Sequence, residues 1–158
     1  MVLTPSSLSF SPDDPLIMSR GKVTRVGLTT DASIPPFEFK SIAWEWMDDA
    51  HGSFYSDVPS RLTCYRPGKV LMKASLIWQN IGRLPYSVRI TKNGIMIRDV
   101  GYQRFQGPVL GSSLSLALAS IESQPGDYFE VWVRHETEGD LPIRVLAHDS
   151  TSFEIGDL

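Results

Sequence analysis

The chain has 158 residues, of which 42% are hydrophobic and 21% are charged, and its net charge at pH 7 is -3. This length and composition predict one globular domain with a sizeable core. No basic excess is available to neutralise phosphates, which argues against nucleic acid or an anionic membrane as a partner, and no apolar run approaches the ~20 residues that span a bilayer.

The N-terminal residues 1–19 contain Pro5, Pro12 and Pro15 among several serines, a composition that disfavours regular strand pairing. We predict an extended arm, which either docks on a partner or is a flexible leader. The stretch lacks the basic and continuous apolar regions of a secretory signal, so we expect the protein to be made in a cytoplasm. Residues 20–158 are predicted to form a single domain.

A first strand is predicted in the sequence KVTRVGL, which begins at Lys22, and the proline pair in SIPPF ends it. From residue 39 onward, turn signals recur between short segments that are rich in β-branched and aromatic side chains. None of these segments has a sustained helical stripe of apolar residues. The pattern therefore predicts an all-β antiparallel sandwich or barrel.

Two hairpins are predicted with particular clarity. Asn93 and Gly94 separate two alternating runs, and both residue types tolerate the positive φ angles that a tight primed turn requires. The second turn is Pro125-Gly126, which follows the run SLSLALASIE. In that run, Leu114, Leu116 and Leu118 lie on one side of the predicted strand and small residues lie on the other.

The strand after this second turn, DYFEVWVRH, has large side chains on both faces. Alternation predicts a core row of Phe129, Val131 and Val133 and an opposite row of Tyr128, Glu130, Trp132 and Arg134. We expect Glu130 and Arg134 to pair with each other or with a neighbour. The two aromatic rings of the opposite row need a cover, which one small domain does not obviously supply.

A similar apolar excess occurs in KVLMKASLIWQ, where Trp78 ends one row of the strand, and in IAWEWMDD, where two tryptophans point the same way. Rings exposed in this number would form a larger apolar patch than monomers usually carry. We therefore predict a contact between copies of the chain, unless loops of the same chain cover the rings. The predicted contact residues are Tyr128, Trp132, Trp78, Trp44 and Trp46.

The order of these pieces resembles the globular head of the complement q subunit and its tumour-necrosis-factor (TNF)-like relatives. The similar stretches are RPGKVLMKASLIW at 66–78, VRITKNG at 88–94, SLSLALASI followed by GDYFEVWV at 126–133, and TSFEIGDL at 151–158. The resemblance covers about residues 40–158. It implies a ten-stranded antiparallel jelly-roll sandwich that assembles as a homotrimer.

Animal members of this family carry a collagen stalk that is not seen here, and the chain is more similar to the stalkless jelly-roll heads of bacteriophages. The resemblance therefore implies a non-enzymatic virion protein, either a capsid decoration or the head of a head or tail fibre. The arm would dock it on a capsid or other virion protein, which places it on the virion surface.

The alternative function is a carbohydrate- or receptor-binding module that recognises a host-surface glycan. Its candidate residues lie together in one loop outside the strand pattern, where they offer aromatic, amide and cationic groups: Tyr102, Gln103, Arg104 and Phe105. The competing explanation for this loop is a simple connection packed at the rim of the trimer.

No motif for catalysis or cofactor binding is found. Cys64 is the single cysteine and is predicted to be a small apolar residue in a strand. The histidines have no metal-ligand spacing and are expected at the surface or at strand edges: His51, His135 and His148. Calcium is known in part of the family, and the nearest carboxylates have no regular spacing: Asp48, Asp49 and Asp57. We predict no enzyme, no cofactor and no metal.

Overall fold

The computed structural model describes residues 23–49, 54–79, 86–101, 105–106, 112–136 and 142–157. The predicted arm, residues 1–19, lies outside these ranges. Within them, no helix has the length and hydropathy needed to cross a membrane.

The described strands form two antiparallel sheets, one of eight strands and one of six. The eight-stranded sheet contains β1 (Val23–Gly27), β2 (Ala32–Ile34), β4 (Trp46–Asp49), β7 (Gly68–Gln79), β10 (Phe105–Gln106), β11 (Ser112–Ser123), β13 (Ile143–Val145) and β14 (Ser152–Asp157). The six-stranded sheet contains β3 (Lys40–Ser41), β5 (Phe54–Tyr55), β6 (Leu62–Cys64), β8 (Tyr86–Lys92), β9 (Ile95–Gly101) and β12 (Tyr128–His135).

The main strand order is β10-β11-β7-β14-β1-β4 in the first sheet and β5-β6-β12-β8-β9 in the second. Strands that follow one another in sequence therefore often lie in different sheets, as in a jelly roll. This confirms the predicted all-β antiparallel jelly-roll sandwich. The number of strands exceeds the predicted ten because several strands are interrupted pieces of two or three residues, such as β3 and β5.

The core lies between the two sheets and is built from one row of each long strand. The core includes Val131 and Val133 of β12 and the row of β7 that contains Trp78. The side chains of Val131, Val133 and Trp78 are fully buried. The indole N–H of Trp78 donates to the hydroxyl of Ser115 on β11 at 3.1 Å. The prediction that Trp78 contacts another copy of the chain is therefore wrong, because its ring is enclosed by its own sandwich.

The hairpin at Asn93-Gly94 is confirmed and joins β8 to β9. Asn93 has a φ of 52° and Gly94 a φ of 80°, the positive values that a primed turn requires. The turn is also tied to the start of β12, since the Asn93 amide donates to Asp127 at 2.8 Å and the Tyr128 backbone N–H donates to the Asn93 side chain at 3.0 Å.

The turn at Pro125-Gly126 is present, but the hairpin predicted there is wrong. Gly126 has a φ of 91°, and the Asp127 backbone N–H closes the turn by donating to the Gln124 carbonyl at 3.0 Å. The strands on either side enter different sheets, since β11 pairs with β7 and β12 pairs with β8. The turn is thus a corner of the jelly roll, where the chain passes from one sheet to the other.

Candidate functional site

The outer face of the six-stranded sheet carries Tyr128 and Trp132, which are both half-buried. Arginines of the same chain lie over aromatic rings here, over Tyr128 and over the neighbouring Phe39. The Arg61 guanidinium is 4.1 Å from the centre of the Tyr128 ring, and that of Arg89 is 3.9 Å from the centre of the Phe39 ring. Each such contact stabilises by about 0.5 to 1 kcal/mol at an exposed site.

Carboxylates complete this outer face. Glu130, 5% exposed, accepts from Ser60 at 3.0 Å and pairs with Arg61 at 3.3 Å, while Arg134 pairs with Glu136 at 3.2 Å. The two charged residues of the strand therefore pair with neighbours and not with each other. Much of the second apolar face of β12 is covered within one chain, so a role for Tyr128 and Trp132 in a trimer contact stays a prediction.

The outer face of the eight-stranded sheet is apolar across its two longest strands. Leu114, Leu116 and Leu118 lie directly opposite Ile77, Ser75 and Lys73 in the ladder between β11 and β7, so their side chains share one side of the sheet. We call this surface the leucine face, and define it by Leu71, Ile77, Leu114, Leu116 and Leu118. The three leucines of β11 are half-buried, and the other two residues are fully buried.

A face of an antiparallel sheet that is turned to solvent normally carries polar side chains. The leucine face is turned away from the six-stranded sheet, because the opposite rows of β7 and β11 supply the core. This surface escaped the sequence analysis, which placed the Trp78 row outside. The row of small residues on β11, Ser113 to Ala119, could have revealed the leucine face. Small side chains leave room for the large Trp78 row beside them in the core, so the leucines of β11 must lie on the other side.

A buried cluster of charges adjoins the leucine face on the same side of the sheet. Glu154 of β14 lies opposite Lys73 on one neighbouring strand and Arg25 on the other. The Arg25 Nε is 3.4 Å from a Glu154 carboxylate oxygen, and these side chains are 8% and 1% exposed. Arg25 also donates to the carbonyl of Asp149. Burial raises the pKa of Glu154, while the positive charges of Lys73 and Arg25 lower it.

The two tryptophans near β4 lie in different environments. Trp44 is 7% exposed and stacks on Phe153 in the core, with ring centres 6.4 Å apart. The prediction that Trp44 contacts another copy is therefore wrong, because its own core holds the ring. Trp46 is half-buried on the same side as the leucine face, where the Arg25 guanidinium is 5.4 Å from its ring centre. A trimer contact through Trp46 stays a prediction.

Trp46 packs flat against the backbone of Gly27, because a Cβ at that glycine would lie 2.3 Å from the indole Cζ2 atom. We expect Gly27→Ala to displace the ring, to shift its fluorescence and to lower the free energy of unfolding by about 1 to 3 kcal/mol. Gly68→Ala is the matched control, since no atom lies within 4 Å of the added methyl group. Equal unfolding curves for the two variants would contradict the packing described.

The predicted ligand loop lies mostly beyond the described part of the chain, which leaves out Tyr102, Gln103 and Arg104. Phe105 opens β10 and pairs with Leu114. Among the described residues, no group of three histidines, cysteines, aspartates or glutamates could hold a metal ion. Asp48 and Asp57 belong to no such group within the described part of the chain, which leaves out the side chain of Asp49.

The remaining predicted positions are structural. Cys64 is 2% exposed in β6, which confirms the strand prediction. His135 is the last residue of β12 and is fully buried, with its Nε2 2.7 Å from the Ile34 carbonyl oxygen. Of the two placements expected for it, the surface or a strand edge, the surface is wrong. His148 accepts from the Ser150 backbone N–H at 3.0 Å. His51 lies outside the residues described.

Comparison with protein-family models and with curated protein sequences gives no match. Comparison with solved structures places the chain among proteins with the TNF-like jelly-roll fold. Murine APRIL has a TM-score of 0.59 at 8% identity, with 86% of this chain and 98% of that chain covered. The Eiger TNF of S. frugiperda has a TM-score of 0.55 at 12% identity, with 86% of this chain and 91% of that chain covered. Bushbaby GITRL has a TM-score of 0.51 at 16% identity, with 86% of this chain and 92% of that chain covered. These likenesses establish the fold alone.

Proposed function

We propose that the protein is a non-enzymatic, homotrimeric structural protein of a bacteriophage virion, either a capsid decoration or the head of a fibre. The observation that carries the trimer is the leucine face. Fully burying an exposed leucine side chain stabilises by about 1.5 to 3 kcal/mol. The three leucines of β11 are half-buried in one copy, so each contributes a part of this amount, and together they favour association. Closed rotational symmetry lets every copy bury the same surface.

The virion role rests on the sequence, through the resemblance to phage jelly-roll heads and the proline-rich arm, residues 1–19. A trimeric head carries three such arms. Three weak arm contacts made by one head act together, because binding of the first raises the effective concentration of the others. The partner of the arm is then a capsid or another virion protein, and the head lies on the virion surface.

Mass in solution, measured by light scattering after size exclusion, tests the trimer. We expect both the full chain and a chain that lacks residues 1–19 to be trimers, the full chain with a mass of about three times 17.6 kDa and the shortened chain with three times its own smaller mass. A monomeric mass for both chains would end the trimer proposal, and loss of the trimer only in the shortened chain would assign assembly to the arm.

Mass spectrometry of washed, purified virions of the phage that encodes the chain tests the virion role. We expect the protein to be present in a copy number divisible by three. Its absence from particles that retain their other surface proteins would overturn the virion role and leave the trimer standing.

A further inference from the structure

A cavity of about 330 Å³ lies at the edge of the sandwich, between β4 and the segment 56–59. Its walls include Trp44, Glu45, Trp46, Met47, Ser56 and Asp57. The two sides are tied together by the Trp44 backbone N–H, which donates to the Pro59 carbonyl at 2.9 Å. The volume is at the lower end of the range for small-molecule sites, so the cavity accommodates a single ring better than an extended chain.

Trp44, which contributes to the wall of this cavity, has a hydrogen-bond donor without a partner among the described residues. Trp44 is 7% exposed, and its indole N–H is buried and makes no hydrogen bond to any of the described residues. An unsatisfied buried donor costs about 1 to 3 kcal/mol, and such groups are rare in folded proteins. A ligand with a hydrogen-bond acceptor would remove this cost.

The charged groups of the cavity are carboxylates. Glu45 accepts from the backbone N–H and the hydroxyl of Thr30 at 2.9 and 2.8 Å and from the Thr29 hydroxyl at 2.9 Å. The bonds from Thr30 and Thr29 lower the pKa of Glu45, so it stays an ionised acceptor. Asp57 accepts a long bond of 3.3 Å from the Thr63 hydroxyl. Among the described residues that line the cavity there is no lysine or arginine.

These groups select among ligand classes. Two carboxylates without a basic partner disfavour an anion. A quaternary ammonium ion would suit the indoles and the carboxylates, but it offers no acceptor to the Trp44 N–H. A neutral sugar ring satisfies all of these groups, because its hydroxyls donate to carboxylates and accept from N–H groups while its apolar C–H face packs on aromatic rings.

We propose that this cavity binds one neutral pyranose ring, with Trp44 as hydrogen-bond donor and Asp57 as acceptor. The proposal stands without the virion role and without the predicted loop ligand at 102–105. On a trimeric head it would provide three identical glycan contacts, which would attach a particle to a sugar-coated surface by multivalency.

Ligand-observed NMR on the full-length protein tests the site, with the methyl pyranosides of glucose, galactose and mannose and with N-acetylglucosamine as probes. We expect at least one probe to bind with a dissociation constant on the order of 1 mM. Trp44→Phe should weaken that binding about tenfold, because it removes one buried hydrogen bond. Asp57→Asn should weaken it several-fold, because the amide oxygen still accepts a hydrogen bond but without the charge. Should Trp44→Phe fail to fold, Asp57→Asn decides alone.

Asp99→Asn and Trp132→Phe are the matched controls, because both positions lie on the outer face of the six-stranded sheet, and we expect them to bind as the unchanged protein does. Three results would overturn the proposal: no probe binds, choline binds in place of the sugars, or Asp57→Asn retains full affinity. None of these results alters the expected mass of the trimer. The sugar-site proposal can therefore be wrong while the trimer proposal is right, and the reverse also holds.

Discussion

Leu116→Asp is expected to convert a species of about three times 17.6 kDa into folded or partly unfolded monomers of 17.6 kDa. Leu116 lies in the middle of the leucine face, opposite Ser75. A carboxylate at this position would be buried among leucines of three copies, and burying an unpaired charge costs several kcal/mol. Light scattering measures the mass, and circular dichroism reports whether the sheets remain.

Trp132→Asp distinguishes the leucine face from the aromatic face that the sequence predicted as the contact. Both variants add one carboxylate at a half-buried apolar position of a long strand. If the leucine face forms the contact, Trp132→Asp keeps the mass of the trimer. The reverse pattern, a trimer for Leu116→Asp and a monomer for Trp132→Asp, would move the contact to the outer face of the six-stranded sheet.

Arg25→Met is expected to lower the free energy of unfolding by up to about 3 kcal/mol, less than the cost of leaving a buried charge wholly unpaired, because Lys73 remains beside Glu154. Methionine keeps most of the apolar stem that packs beside Trp46. Thermal unfolding at a fixed protein concentration measures the loss, which is about 2 to 4 °C per kcal/mol for a chain of this size.

Arg144→Met is the matched control for this loss of stability. Arg144 pairs with Asp31 at a similar distance, 3.4 Å, but its side chain is 53% exposed. An exposed ion pair contributes at most about 1 kcal/mol. Equal losses for the two variants would mean that the buried cluster contributes no more than a surface pair.

The effect of Arg25→Met should depend on pH. Burial raises the pKa of Glu154 above its ordinary value of 4.5, so the folded protein holds the proton more tightly than the unfolded chain does, and stability falls as pH rises from 4.5 through the folded pKa. Arg25 counteracts this fall by favouring the ionised form. We therefore expect the two proteins to differ least below about pH 4.5 and increasingly above it.

The features that the sequence predicted correctly are the ones that local chemistry determines. Asn93 and Gly94 tolerate positive φ angles, so the hairpin between β8 and β9 could be located from a few residues. The turn at Pro125-Gly126 was located for the same reason. The pairing partners of the strands on either side of this turn could not be predicted, because the pairing of β11 with β7 is decided by packing across the whole domain.

The rows of β7 show a second limit of the sequence. Both rows contain large apolar residues, Trp78 in one and Leu71 and Ile77 in the other, and all three are fully buried. Alternation separates the rows without saying which one faces the core. The edge cavity was invisible for a related reason, since Trp44 and Asp57 meet only after β1 and β4 have paired and segment 56–59 has packed beside them.

The position of β14 has a consequence for how the chain acquires its structure during synthesis. This strand is the last one described, yet it lies in the interior of its sheet, where Val23 of β1 pairs with Gly156 and Met72 of β7 pairs with Ile155. The sheet cannot close until the ribosome has released these residues. Contacts so distant in sequence slow folding, and until they form, the open edges of β1 and β7 are exposed to aggregation and to chaperones.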